Sequence, residues 1–140
     1  MGLLEAHAAL KGRRAVVVGG AFGIGRAISL ALAEAGVDIA CCDFDEEGIA
    51  SIAPDVEALG VKCLAVLADV RDEAALEAFF DTVEQQFDSV DFLINVAGGV
   101  KSMPFTETTK EHNAGEIRLN YGYILDAVRR TCLLYTSDAA

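Results

Sequence analysis

The sequence of 140 residues is short of several things, beginning with basic charge: 11 Lys and Arg stand against 22 Asp and Glu, a net charge of −11. Such a surface repels nucleic-acid phosphates and anionic lipid, so neither nucleic acid nor membrane is an expected partner. No apolar run approaches the ~20 residues of a membrane helix. The opening MGLLEAHAAL lacks the basic start and small-residue cleavage site of a secretion signal, so a cytoplasmic location is expected. Histidine is scarce, with His7 and His112 far apart, and Cys41, Cys42, Cys63 and Cys132 form no C-x-x-C pair. A metal or redox centre has little to build on, and reduced core thiols are expected.

Apolar residues are plentiful, at 53%, enough for one packed domain. Residues 15–19, AVVVG, read as a strand buried on both faces. A helix follows with Ile24, Ile28, Ala31, Leu32 and Ala35 on its stripe and Gly36 to end it. The pattern repeats with a strand over 37–43 and a helix whose stripe is Ile49, Ile52, Val56 and Leu59, stopped by Gly60 and kinked or restarted at Pro54. A third strand, 61–69, leads to a helix with Leu76, Phe79, Phe80, Val83 and Phe87 on one side, then a fourth strand, 90–95. Strands alternating with helices imply right-handed crossovers and a doubly wound parallel sheet, an α/β fold. After a loop over 96–108, Thr108 and Glu111 suit a capping box, and Ile117, Tyr121, Ile124, Leu125 and Val128 form the stripe of a last helix.

The chemistry is concentrated in VVVGGAFGIGRAIS, residues 16–29. Gly19, Gly23 and Gly25 leave the backbone bare where a diphosphate must approach N–H groups at a helix start, and that start attracts an anion without any lysine. Phe22 and Ile24, between the glycines, carry no phosphate-binding group and are expected to pack, within a turn that is counted in the cofactor site with Gly19, Gly23 and Gly25. Gly20-AFGI-Gly25 has the glycine spacing of a nucleotide-hydrolase loop, but Arg26-Ala27 follows where Lys and Ser or Thr are required, which excludes that class. About 20 residues beyond the turn, at the end of the second strand, stands Asp43, where a carboxylate accepts hydrogen bonds from adenosine ribose hydroxyls. A 2′-phosphate there meets a like charge worth roughly 4 kcal/mol at ~4 Å, so NAD is expected over NADP. The alternative is a solvated loop acid, since Asp45, Glu46 and Glu47 follow.

Together with Asp69-Val70 at the third strand's end and Asn95-Val96-Ala97-Gly98 at the fourth's, the sequence resembles the N-terminal, cofactor-binding part of a short-chain dehydrogenase/reductase of the classical type. Val18 to Gly25 then corresponds to the family's T-G-x-x-x-G-x-G, with Val18 in place of threonine and one side-chain hydrogen bond lost. The resemblance implies a Rossmann-type sheet, here of about four strands over 1–131 and incomplete at its C-terminal side. It implies that Asp69 contacts the adenine amino group and that the Val70 N–H helps hold the ring. Phe44, beside Asp43, joins the cofactor site, and the segment of Asn95, Ala97 and Gly98 supports the sheet and passes the nicotinamide-side ribose. It also implies hydride transfer between NAD(H) and a secondary alcohol or ketone, and pairing of the intact protein into homo-oligomers.

Asn120 fits the family's helix asparagine, which keeps a water in the proton relay, although Asn113 replaces a common tryptophan and Gly122 is one place off; a capping or surface asparagine is the alternative. The family's Y-x-x-x-K is absent: Lys11, Lys62, Lys101 and Lys110 are preceded four places earlier by His7, Ala58, Ala97 and Thr106. By family spacing the catalytic serine, tyrosine and lysine lie beyond residue 140. Residues 132–140, CLLYTSDAA, leave the helical stripe and resemble the translated end of a transposon adapter, so they are expected to be a non-native tail, Ser137 included. Three readings result: a truncated NAD-dependent oxidoreductase inactive alone, a non-catalytic dinucleotide-binding module, or an α/β fragment that binds nothing.

Overall fold

In the computed structural model, which describes residues 9–135, the chain begins its first βα unit with strand β1 (Arg14–Val18) and helix α1 (Gly23–Glu34). Strand β2 (Asp38–Asp43) and helix α2 (Glu46–Glu57) follow, then β3 (Cys63–Leu67), α3 (Glu73–Gln86) and β4 (Phe92–Asn95). A last helical stretch is formed by α4 (Lys110–Ile117), a π turn (Arg118–Gly122) and α5 (Tyr123–Tyr135). The four strands pair in parallel in the order β3-β2-β1-β4. This is the doubly wound α/β sheet read from the βα repeats.

Alternation along the strands divides the interior in two. Val16, Val18, Ala40 and Cys42 face α3 and α5, burying Phe79, Phe80, Tyr123 and Ala127 between them. Ala15, Val17, Ile39 and Cys41 face α1 and α2, where Ala33, Ile52 and Val56 pack. Cys41 and Cys42 thus lie on opposite faces, as neighbours on a strand must. Gly36 and Gly60 stop their helices with φ of +86° and +85°, the left-handed cap that glycine adopts without strain.

Several expectations need correction. Helix α2 runs through Pro54 without a break: Ile52 and Val56 anchor it to the sheet on either side, while Pro54 itself is exposed. Leu59 lies outside that buried face and is exposed. The buried face of α1 is Gly25, Ser29 and Ala33 rather than the stripe through Ile24 and Ala31, so small residues let this helix sit close to the sheet. In the last helix Ile117, Tyr121, Leu125 and Val128 are exposed, and Tyr123, Ala127 and Leu134 turn inward. The extra residue per turn in the π segment swings the chain's inward face round. Helix α5 continues through Tyr135 with Leu134 in the core, so the helical pattern does not stop at residue 131. Ser137 lies outside the described residues.

Candidate dinucleotide-binding site

The reversal of strand order between β1 and β4 opens a crevice at their C-terminal ends, the place where α/β sheets of this kind take ligands. A cleft of about 780 Å³ lies there, bordered by the glycine turn, the end of β2 and the loop after β4.

The turn is built by close approach. A Cβ on Gly25 would stand 1.7 Å from the Gly19 carbonyl oxygen, and one on Gly19, whose φ is +84°, would stand 2.6 Å from the Ala97 nitrogen. The Gly19 N–H donates to the Cys42 carbonyl (2.8 Å), while Ser29 Oγ donates to the Gly20 and Gly25 carbonyls (3.1 and 2.9 Å). Helix α1 begins at Gly23 with no side-chain cap and no acidic residue in its first turn. By contrast, Asp72 caps α3 and Thr109 caps α4. An uncapped start beside a cleft leaves N–H groups and the positive end of the helix dipole available to an anion.

Asp43 borders the same cleft and is only 7% exposed, so it is not a solvated loop acid. Its Oδ2 accepts from the Ala21 N–H (3.1 Å) and its Oδ1 from the Asp45 N–H (3.2 Å), tying the glycine turn to the exit of β2. Phe22 and Ile24 do not pack: they border the cleft at 70% and 73% exposure, since α1 turns its small residues inward and leaves these outside. Phe44 is likewise an exposed ring on the rim.

The residues expected for a cofactor separate into two groups. Gly19, Phe22, Gly23, Ile24, Asp43 and Phe44, with Ala97 and Gly98, border the cleft. Gly25 and Val70 are buried behind it. Asn95 ends β4 with its Oδ1 buried and without a hydrogen-bond partner in the structure. Asp69 is gripped by Arg71, which holds its carboxyl below the usual range, and it is Arg71 that reaches the cleft.

Asn120, in the π turn, is neither a cap nor an idle surface group. Its Oδ1 accepts from the Gly99 N–H (2.9 Å) and its Nδ2 donates to the Gly99 and Glu116 carbonyls (2.8 and 2.9 Å). It clamps the loop after β4 to the helix. Tyr123 Oη donates to the Ala97 carbonyl at 2.7 Å, a second tie to that loop, and burial pushes its phenol up to about 12. The capping box shifts by one residue: Thr109 Oγ1 accepts from the His112 N–H, and Thr108 instead donates to the Phe105 carbonyl. Arg71, Glu116 and Leu119 on the cleft were not legible as site residues, because none belongs to a motif and each arrives through the fold.

The cleft thus lies where α/β proteins with this strand order take a dinucleotide. A family model described as short chain dehydrogenase matches residues 13–132, and the chain belongs to that family. Among similar proteins, the short chain dehydrogenase/reductase dpmpG of Macrophomina phaseolina is 38% identical over 89 residues, 63% of this chain and 51% of that protein. The 2,3-dihydro-2,3-dihydroxybenzoate dehydrogenase of Bacillus subtilis is 36% identical over 89 residues, 64% of this chain and 34% of that protein. A variant of a Serratia marcescens short-chain dehydrogenase/reductase superposes with a TM-score of 0.85 at 28% identity, over 90% of this chain and 52% of that one. The chain therefore spans about half, or less, of the length of these relatives. Fold and family imply a nicotinamide dinucleotide, and the bare glycine turn, the uncapped helix start and the buried carboxylate beside them fit such a group. Among the described residues no cluster could hold a metal ion, and no helix is long and apolar enough to cross a membrane.

Proposed function

We propose that the chain is the cofactor-holding part of an NAD-dependent oxidoreductase acting on a secondary alcohol or ketone. The observation that carries this reading is the placing of Asp43, buried, on the same cleft as the uncapped start of α1. The N–H groups at Gly23 to Gly25 would hold the pyrophosphate, and Asp43 would accept from the ribose hydroxyls. The rim beside Asp43 adds Asp45, a second charge that opposes a 2′-phosphate. The Val70 N–H would help hold the adenine ring, while Asn95, Ala97 and Gly98 would shape the path toward the nicotinamide end. The bound cofactor supplies the hydride-exchanging ring carbon. This chain's own part is to orient that ring, with Asn120 and Tyr123 holding the loop at Ala97 and Gly99 against which it would lie. Asn120 serves here as a positioning residue.

The acid/base pair would come from the rest of the longer protein, because the sequence holds no Y-x-x-x-K. Tyr123, raised in pKa and committed to the Ala97 carbonyl, is no substitute. That observation favours a second reading for the isolated chain, a binder that performs no turnover. Pairing of the intact protein with a second copy is supported by the exposed stripe Ile117, Tyr121, Leu125 and Val128. Residues 132–140 as a non-native tail remain part of the proposal, tested by reading the source DNA beyond codon 131. Titration calorimetry with NAD and NADP tests the function: NAD binding at least about tenfold tighter supports it, and heat from neither ligand removes it.

A further inference from the structure

At the other end of the sheet from the cofactor cleft, a second cavity of about 360 Å³ opens where the last residues of α2 and α3 meet the start of β3. Glu57, Lys62, Cys63, Gln86 and Phe87 line it, and it shares no residue with the first cleft.

Cys63 lies on the same sheet face as Cys41, which is part of the core there, and packs against that core. In the strand register Cys63 stands opposite Ile39, so Cys41 is its diagonal neighbour on β2. A strand spacing of ~4.8 Å and a rise of ~6.6 Å over two residues set the two Cα atoms about 8 Å apart, too far for a disulfide between them. The thiols meet by a hydrogen bond instead, the Cys41 S–H donating to the Cys63 sulfur. That bond and burial push Cys41 up, so it keeps its proton. The same bond draws the Cys63 thiol below its ordinary range, against burial and the charge of Glu57, which push it up. A half-buried thiol on a cavity wall, with a second thiol to stabilise its anion, is a placed nucleophile.

The wall around it carries both signs of charge, Lys62 and Glu57, beside the Gln86 amide and the Phe87 ring. This set suits a small zwitterion, its carboxylate toward Lys62 and its ammonium toward Glu57, and the volume is that of a small-molecule site.

We infer that this cavity is a thiolation site, in which Cys63 forms a mixed disulfide with a low-molecular-weight zwitterionic aminothiol supplied as its disulfide. The Cys63 thiolate attacks one sulfur of the ligand's S–S bond. A new S–S bond forms to Cys63, the ligand's own breaks, and its other half leaves as a thiolate that takes a proton from water. The disulfide is the only oxidant consumed, and a thiol in excess reverses the step.

The test exposes the reduced 140-residue chain to glutathione disulfide at about pH 7, with the uncharged hydroxyethyl disulfide for comparison. Peptide mass mapping locates the product, and Cys132, an exposed thiol of the same molecule, is the reference. Cys63 is expected to gain the glutathionyl group about 5-fold faster than Cys132 and to lose it in dithiothreitol. Lys62→Ala should slow that reaction about 3- to 5-fold and leave the hydroxyethyl reaction within about twofold. Cys41→Ala, which keeps Glu57 and Lys62 in place, should move the pH midpoint of the Cys63 reaction upward with both disulfides, a shift that a packing role alone would not give. Circular dichroism checks that each variant folds. A Cys63 no faster than Cys132, a disulfide between Cys41 and Cys63, equal slowing of both reagents or of neither in Lys62→Ala, or an unmoved midpoint in Cys41→Ala overturns the inference.

Discussion

The β1–β2 side of the cleft and the β4 side are built to different degrees of completion. Around β1 and β2 the strand residues Ala15 to Val18 and Ile39 to Cys42 are fully buried, both sheet faces are covered, and the glycine turn is held by close backbone contacts at Gly19, Gly20 and Gly25. Strand β4 pairs with β1 alone and its four residues are only half-buried. Near it Asn95 Oδ1 and Arg118 Nε and Nη2 are buried without partners, and the helix that follows turns an apolar stripe to solvent. One region is closely packed and fully paired in its strands, whereas the other is half-covered and keeps unpartnered polar atoms. The lesson is that two βα units suffice to complete the glycine turn and the carboxylate beside it, while the β4 side draws its order from longer-range ties such as Tyr123 to Ala97 and Asn120 to Gly99.

Perturbations should separate the two sides. The largest effect is expected from Gly25→Ala, because the new methyl group would meet the Gly19 carbonyl at 1.7 Å. A loss of about 3 kcal/mol or more in urea unfolding is predicted. A loss below ~1 kcal/mol would show that the close helix approach is not what shapes the turn.

Asp43→Ala comes next: NAD affinity should fall at least about tenfold with NADP affinity unchanged or improved, since the carboxylate that favours one opposes the other. A smaller cost, about 1–2 kcal/mol of stability, is expected for Tyr123→Phe, which leaves the Ala97 carbonyl unpaired, and the loop at 96–99 should exchange its amide hydrogens faster. The same tyrosine predicts an alkaline limit. Its folded pKa of about 12 lies above the ~10 of an unfolded chain, so its contribution is complete below pH ~10 and is lost as pH rises toward 12. Thermal melts between those values should fall faster in the unaltered chain than in Tyr123→Phe.

Smallest of all, Leu125→Ser on the exposed stripe should change monomer stability by less than ~0.5 kcal/mol, measured by urea unfolding. A large loss there would mean that the β4 side is already closed.

How much of this was legible in the sequence follows the same division. The strands were plain because runs such as AVVV carry both the β-branched preference and the burial of a central parallel strand. The glycine turn and Asp43 were legible because their chemistry fixes residue type and spacing. The inward face of α1 was not, since Gly25, Ser29 and Ala33 carry little hydrophobic signal and Ile24 and Ile28 carry much. In α4 and α5 the apolar periodicity marked an exposed stripe, and one π turn reset the phase that a periodicity argument assumes. The Tyr123 tie to Ala97 and the Asn120 clamp on Gly99 join residues 26 and 21 positions apart, a relation that no local pattern encodes. Arg71 was hidden for a different reason: its partner Asp69 lies two residues away, but only the fold shows that Arg71 faces the cleft.

A crystal structure of the chain with NAD tests the central claim most directly. The pyrophosphate is expected over the N–H groups of Gly23 to Gly25, with the adenosine ribose hydroxyls on the Asp43 carboxylate. A dinucleotide lying elsewhere in the cleft, with the start of α1 facing only water and Asp43 still bonded to Ala21 and Asp45 alone, would contradict it.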